Sequence, residues 1–405
     1  MGSDKLKKIL FKGDKIIWAV FFIICAISWI EVFSATSRQL SGTESYWLPI
    51  IKHTAFLVGG ALLIIGLQNL ELSQVKKLTR IFYWTGIVGL IWAQLDSGSK
   101  INGSARWIDF GLFTVQPMEI AKIGIVMVTA RIMSEHQHER GTMGTALKEI
   151  VKYSIFPVLI IFKENLSTAA LIVLTLGMMM YIGRCPNGQL LKICGIGVVG
   201  AALGVATLLA LPDSIATDEG SFGSKVITWK HRIQAIGDSK PIDPDTYKIE
   251  DDQRAHANMA IASSHFIGCG PGNSMQRDNI PHAYSDFIYA IIIEELGLIG
   301  GIVVILLYLT LLYRSGKIAE RSEDAYSAYM AMGFGIIITL QAMLHMYISV
   351  GDFVTGQPLP LISQGGTSVV INCIYIGMLL SISRHPRKTE PATATTGATT
   401  ESDNQ

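Results

Sequence analysis

Long apolar runs, almost free of charge, recur from Ile16 to Ile382 of this chain. A helix needs about 20 mostly apolar residues to cross a bilayer, and many of these runs approach or reach that length. Only 16% of the residues are charged, against roughly 25% in soluble domains. The runs and the scarcity of charge exclude a soluble enzyme, a nucleic-acid binder and a disordered scaffold. With a net charge of +1, no bulk attraction to a polyanion is expected. The expected fold is an all-α polytopic membrane protein with about ten transmembrane helices. The spans read as 16–35, 48–67, 79–95, 116–133, 153–163, 166–183, 190–211, 285–313, 326–347 and 363–383. The fifth is too short to cross alone and needs shielding by neighbouring protein.

Basic residues orient the spans. Lys5, Lys7, Lys8, Lys12 and Lys15 precede the first, which predicts a cytoplasmic N-terminus over 1–15. Alternate loops then carry Lys76, Lys77 and Arg80; Arg131, Arg140, Lys148 and Lys152; Arg184; and Arg314, Lys317 and Arg321. The chain ends with Arg384, Arg387 and Lys388, so both termini are expected in the cytoplasm. Residues 16–384 form the membrane domain, and the Thr/Ala-rich stretch 385–405 is expected to be a disordered cytoplasmic tail. The first apolar run is span-length and more spans follow, so it does not read as a cleaved signal peptide. Cys25, Cys185, Cys194, Cys269 and Cys373 fit neither a disulfide framework nor a zinc site. They read as small hydrophobes.

Two outside loops differ from the rest. One, 96–115, is rich in Gly, Asn and Trp. The other, a large extracytoplasmic loop over 212–284 between the seventh and eighth spans, holds ten acidic and seven basic residues. A loop of that length in a compact protein is usually functional or disordered.

Polar groups beside apolar spans are expensive and call for a reason. The first cluster is Lys100-Ile-Asn-Gly-Ser-Ala-Arg106-Trp107-Ile-Asp109, followed by Gln116-Pro-Met-Glu119-Ile-Ala-Lys122. Glu119 and Lys122 are three apart and share a helix face. They suit a buried packing pair, or a cation that meets a phosphate with a carboxylate to orient it. Arg106 suits a snorkelling anchor or a phosphate ligand, and Trp107 an interfacial belt residue or a cavity wall. The second cluster runs from Gly268-Cys-Gly-Pro-Gly-Asn273-Ser274 to Asn279-Ile-Pro-His-Ala-Tyr-Ser285-Asp286-Phe-Ile. Ser285 is placed to cap the eighth span, with Asp286 in its first turn. Asp286 suits either dipole stabilisation or a carboxylate held at the membrane face for a substrate. Glu294 and Glu295 lie two turns deeper, and at least one must face protein. The third cluster, Val354 to Ser368 with Pro358-Leu-Pro-Leu-Ile-Ser363-Gln-Gly-Gly-Thr-Ser, breaks the apolar pattern. It suits a re-entrant turn or a polar pocket lined by backbone.

These clusters, in this order, resemble the SEDS family of cell-wall polymerases over nearly the whole chain. The carrying stretches are Asn102-Gly-Ser-Ala-Arg-Trp-Ile, Gln116-Pro-Met-Glu-Ile-Ala-Lys, Pro281 to Ala290 with Glu294-Glu-Leu-Gly, and Pro358 to Ser368. Gly270-Pro-Gly-Asn-Ser, Ser381-Ile-Ser-Arg384 and the 354–368 loop resemble the division branch more than the elongation branch. The chain departs from the family pattern at several places. Met118 replaces a small residue, and Lys163-Glu-Asn-Leu-Ser-Thr-Ala169 replaces a Pro-Asp pattern. Ser264-His265 replace a Gly pair, Cys269 a Lys, His256 a Gln, and Lys52-His53 an Arg-Gln pair.

The resemblance implies a glycosyltransferase in the bacterial cytoplasmic membrane, at the division septum. It would polymerise lipid II, the undecaprenyl-diphosphate-linked disaccharide peptide, at the outer face. Asp286 would be the catalytic base. Lys122, Arg106 and Lys52 would meet the diphosphate, Glu119 would orient Lys122, and Trp107, Gln253 and Ser363 would complete the substrate site. No cofactor is demanded by the sequence, although Mg or Mn at the diphosphate is compatible with this chemistry. Implied partners are a class B penicillin-binding protein, which supplies the transpeptidase, and other division proteins. Rival readings are a lipid II flippase, which needs charge along a path through the bilayer, and a non-catalytic division scaffold, which needs no Asp286.

Overall fold

The computed structural model describes residues 11–36, 48–95, 107–109, 111, 114–138, 141–142, 144–192, 195, 206–207, 209–210, 230, 253–280, 283–350 and 357–385. Helices α1 (Lys15–Thr36), α2 (Leu48–Leu67), α3 (Leu72–Leu95), α4 (Pro117–Glu135), α5 (Gly144–Glu164) and α6 (Leu166–Ile182) form the first part. Helices α7 (Gln253–Ser263), α8 (Ile288–Arg321), α9 (Ala325–Val350) and α10 (Gly366–Ser383) follow. Two short antiparallel pairs sit in loops: β1 (Ile108–Asp109) with β2 (Thr114–Val115), and β3 (Gln137–His138) with β4 (Gly141–Thr142).

Nine of the ten expected spans coincide with helices among the described residues. The seventh, 190–211, lies mostly outside them, as do most of 212–252 and the tail from 386. Five helices, α1, α2, α8, α9 and α10, are long and apolar enough to cross a membrane on their own composition. Helix α3 carries Lys76, Lys77 and Arg80, and α4 carries Glu119, Lys122 and Arg131, so neither is uniformly apolar. The fifth span corrects upward. Instead of 153–163 it is a 21-residue helix, α5. Its first half holds Lys148, Glu149 and Lys152, which hide it from a search for apolar runs.

Helices α9 and α10 are the most buried of the five long apolar helices. The tightest neighbours are α8 with α9, α3 with α4, and α10 with α2. Small residues let α3 and α4 touch closely. A Cβ on Gly86 would lie 2.7 Å from the Ala121 Cα, and one on Gly124 would lie 2.6 Å from the Tyr83 Cα. Such contacts replace the hydrophobic drive that lipid removes. Large exposed side chains such as Ile81, Trp84, Val88 and Leu62 face outward, where hydrocarbon is the solvent.

Helix α8 breaks at Gly297, whose φ is 72°. Only glycine adopts this conformation without strain, and a Cβ there would meet Phe266 O at 2.3 Å. The loop before α8 occupies the break: Leu298 N donates to His265 O (3.2 Å) and Ile299 N to Phe266 O (3.3 Å). Glu294 and Glu295, just before the kink, are both buried. Ser274 Oγ donates to Glu294, and Met275 N donates to its other oxygen at 2.9 Å. Glu295 accepts from Ser34 Oγ (2.5 Å), Gly272 N (3.0 Å) and Ser274 N (3.3 Å). Arg277 Nη1 lies 3.6 Å from Glu295 and donates to Ser34 Oγ at 2.7 Å. The glycine-rich loop is therefore anchored into the bundle by two carboxylates. Burial, with Glu294 and Glu295 nearby, pushes the Cys269 thiol above its ordinary value. Cys25, Cys185, Cys269 and Cys373 are free thiols, and Cys194 lies outside the described residues.

Candidate functional site

The Gln116-Pro117 step sets the start of α4, with proline in the first turn and Gln116 at the cap. Proline is tolerated there because its missing N–H would be unpaired anyway. One turn on, Glu119 and Lys122 point into the bundle and are almost fully buried. Lys122 Nζ is 2.7 Å from Glu119 Oε1 and 2.7 Å from Gln341 Oε1 of α9. Gln341 Nε2 in turn donates to Pro358 O at 3.1 Å. Among the described residues Glu119 Oε2 and the Tyr375 hydroxyl, both buried, have no hydrogen-bond partner. Buried polar atoms are normally paired, so this network has capacity left for something else.

The segment Gln357–Gly366 is the hub of the site. Leu361 has φ 66°, a left-handed conformation that a bulky residue adopts only under restraint. The restraints are visible. Tyr308 donates to Pro360 O, Ser28 Oγ donates to Ile362 O (2.8 Å) and Leu359 N donates to Ser363 Oγ (2.7 Å). Ser363 Oγ donates to Ser285 O (2.8 Å), and Gln364 N donates to Tyr284 O (3.0 Å). The two turns are thereby clamped together, and Asp286 stands on the second. Thr367 Oγ1 donates to Thr114 O at 2.5 Å, which ties the β1–β2 hairpin to the same place.

Asp286 is half-buried and accepts a hydrogen bond from Ser285 Oγ at 2.9 Å. The expected capping differs from what is seen. Helix α8 starts at Ile288 with Phe287 at the cap, so Ser285 is no cap and Asp286 lies in a turn outside the helix. The hydrogen bonds to the 357–366 segment override the local Ser-Asp signal. Burial, together with the Asp286 charge, pushes the Tyr284 phenol above its ordinary value.

The other expected site residues scatter more. Ser363 is buried, with its hydroxyl engaged on both sides. Those bonds make it a clamp for the Asp286 turn. Lys52 is exposed on α2, while its neighbour His53 is buried against Ser28 Oγ at 2.8 Å. Gln253 opens α7, and His256 Nδ1 lies 2.8 Å from Gln276 Oε1. Trp107 is half-buried just before β1, and Arg106 lies outside the described residues.

Met118, a departure from the family pattern, meets the stretch in which Lys163 to Ala169 also departs from it. Thr168 Oγ1 lies 3.9 Å from Met118 Sδ, and Gln357 Nε2 donates to Thr168. Asn165 caps α6 by accepting from Thr168 N at 3.1 Å. Asn and Asp are equal in that role, which explains why the replaced stretch keeps its shape. The residues that sequence reasoning missed are Gln341, His345, Gln357, Thr168 and Tyr375. His345 Nδ1 lies 2.6 Å from Gln357 O. Gln341 and His345 sit one turn apart inside an otherwise apolar span, and that signal was available. Among the described residues no group of three or more His, Cys, Asp or Glu is arranged to hold a metal ion.

The family profile described as "Cell cycle protein", of FtsW, RodA and SpoVE, matches residues 14–388. A probable peptidoglycan glycosyltransferase FtsW of Halomonas elongata is 30% identical over 92% of this chain and 91% of its own. One of the same description from Nitrosococcus halophilus is 27% identical over 90% of each chain. Among solved structures, a chain of a peptidoglycan synthase complex aligns with a TM-score of 0.66 at 20% identity, covering 92% of this chain and 98% of that one. The rod shape determining protein RodA of Thermus thermophilus aligns at 0.60 with 18% identity, covering 92% and 97%. With the profile spanning nearly the full length and the fold shared, this integral membrane protein belongs to the FtsW, RodA and SpoVE family of cell cycle proteins, the SEDS family.

Proposed function

We propose that this chain is a peptidoglycan glycosyltransferase that polymerises lipid II at the outer face of the cytoplasmic membrane, for septal wall synthesis. The carrying observation is the 357–366 segment, which hydrogen-bonds both the turn bearing Asp286 and, through Gln341, the buried Lys122. A carboxylate and a cation are thus fixed to one rigid element, which is what transfer from a diphosphate donor requires.

In the reaction an acceptor hydroxyl attacks the anomeric carbon of the donor sugar. Its proton passes to Asp286 as the new C–O bond forms. The bond from the anomeric carbon to the lipid diphosphate breaks, and the diphosphate leaves with the electron pair. Lys122 offsets the charge that builds on it, with Arg106 and Lys52 as further cations. Glu119 holds and aims Lys122. Trp107 walls the sugar path, and Gln253, at the start of α7, completes the substrate site.

The orientation rests on helix polarity. Lys12, Asp14, Gln68, Arg314 and Arg384 gather at one end, where Arg314 pairs with Asp14 and Arg384 Nη1 donates to Gln68 O at 2.5 Å. We read that basic end as cytoplasmic; on this reading Asp286 lies outside, the tail from 385 inside, and the 212–284 loop on the side where a class B penicillin-binding protein would meet it. Purified chain given labelled lipid II, with products resolved on a gel, tests the reading. Polymer formation that Asp286→Asn abolishes is expected. Transport of lipid II across vesicles without polymer would move the chain to the flippase class. Chelation followed by Mg or Mn addition reads whether a divalent ion on the diphosphate contributes.

A further inference from the structure

A cavity of about 620 Å³ opens at the end of the bundle away from Asp286, between α3, α4 and α9. Its charged lining is Lys76, Lys77, Arg80, Arg131, Glu135 and Asp324. Lys76 Nζ pairs with Asp324 at 2.7 Å, and Arg131 Nε pairs with Glu135 at 2.7 Å. Lys77 and Arg80 form no ion pair among the described residues. Four cations against two carboxylates leave two positive charges in one concave site.

Ile81 also lines this cavity, and it begins an apolar stripe along the outer face of α3. Trp84, Val88, Trp92 and Leu95 continue the stripe at helical spacing, each more than half exposed. Near its far end Val88, Ile91, Trp92 and Leu95 line an open apolar groove. From Ile81 to Leu95 the stripe runs roughly 21 Å at 1.5 Å per residue. One leaflet of hydrocarbon is about 15 Å deep, half the ~30 Å core. A concave site with surplus positive charge that leads directly into an apolar track at least one leaflet long matches a lipid better than a free anion or an acidic peptide.

We propose that this cavity binds the phosphate headgroup of an anionic membrane phospholipid, held by Lys77 and Arg80, with its acyl chains along the exposed stripe of α3. Basic pockets between helices at a membrane face recognise such headgroups. Helix α4 runs from this cavity at Arg131 to the candidate site at Lys122, so a bound lipid would brace the helix that presents Lys122.

The test is native mass spectrometry of the full-length protein in detergent, titrated with phosphatidylglycerol and with phosphatidylcholine. Wild type should retain phosphatidylglycerol preferentially, and Lys77→Gln/Arg80→Gln should lower that preference roughly 30-fold, about 2 kcal/mol. Quenching by chain-brominated phosphatidylglycerol, taken as wild type minus Trp84→Phe, should exceed that by brominated phosphatidylcholine. This arm does not depend on the double variant folding. Equal binding of the two lipids by wild type, or an unchanged preference in a folded double variant, overturns the proposal. So does displacement of the lipid by millimolar inorganic phosphate or by an acidic peptide, which would mean that the cavity reads charge alone.

Discussion

Two buried ionic clusters stand near the candidate site, and they are built differently. Around Glu294 and Glu295 every carboxylate oxygen accepts at least one hydrogen bond, from backbone N–H groups of the glycine-rich loop or from Ser34 and Ser274. Around Glu119 and Lys122 one carboxylate oxygen and the neighbouring Tyr375 hydroxyl accept or donate nothing among the described residues. In the first cluster the oxygens of both glutamates are spent on fixing a loop to a kinked helix, although Arg277 Nε and both oxygens of nearby Glu31 have no hydrogen-bond partner among the described residues. The second leaves polar capacity unspent beside the segment that holds Asp286. Buried charge by itself therefore does not mark a site. Unfilled buried polar capacity beside the segment that holds Asp286 adds to the case, because an empty group costs about 1–3 kcal/mol that a ligand can recover, although Glu31 and Arg277 also keep unpartnered atoms.

The sharpest break between catalysis and scaffold is Asp286→Asn. It keeps size and removes basicity, so polymerisation should fall by about 10²–10⁴ with the melting temperature unchanged. Near-normal glycan synthesis by the purified variant would remove Asp286 from the reaction.

Next in size is Glu295→Ala in the closed cluster. It strands Arg277 and the Gly272 and Ser274 N–H groups, and a buried pair broken on one side loses about 3–5 kcal/mol. Thermal melting in detergent should show the drop. A variant that melts like wild type would mean that the loop is anchored elsewhere.

The open cluster should behave in the opposite way. Replacing both Glu119 and Lys122 by Met removes a pair whose desolvation rivals its attraction, so stability should hold or rise by roughly 1–4 kcal/mol while polymer formation is lost. If the double variant still polymerises, the pair is packing and the comparison collapses.

The smallest effect is expected outside the membrane span, at Asp324. Burial pushes its carboxyl up, but hydrogen bonding to Lys76 and to the Ser327 side chain and backbone, with the Lys76 charge, outweighs it and holds the carboxyl below its ordinary value. A depressed folded value means stability that is present above the unfolded value near 3.8 and lost as pH falls through the folded one. Half of Lys76 is exposed, so Asp324→Asn at neutral pH should remove no more than about 1 kcal/mol. Melting curves at pH 7 and pH 3 should differ less in the variant than in wild type. An equal difference would show that the pair does not carry the acid sensitivity.

Much of the site was legible before any coordinates. Glu119 and Lys122 declared themselves as charges one turn apart inside an apolar run, and Asp286 as a carboxylate at the edge of another. The cap on α8 was misread because Ser285 and Asp286 carry the local signature of a helix start, while tertiary hydrogen bonds to Ser363 and Gln364 hold them in a turn. Ser363 reads as a pocket residue in the sequence, and the structure adds that its hydroxyl bonds Leu359 N and Ser285 O.

Partition into a membrane is a local property. A window of about 20 residues contains the information, so the sequence alone determined where the apolar helices lie and which loops are basic. Partnership inside the bundle is not local. Lys122 meets Gln341 across 219 residues, and Ser34 meets Glu295 across 261. Those meetings depend on which helices cross and how closely, through contacts such as Gly124 against the Tyr83 backbone. No periodicity in either segment specifies the other, so only the tertiary structure decided which buried charges are satisfied and which keep an unpartnered atom among the described residues.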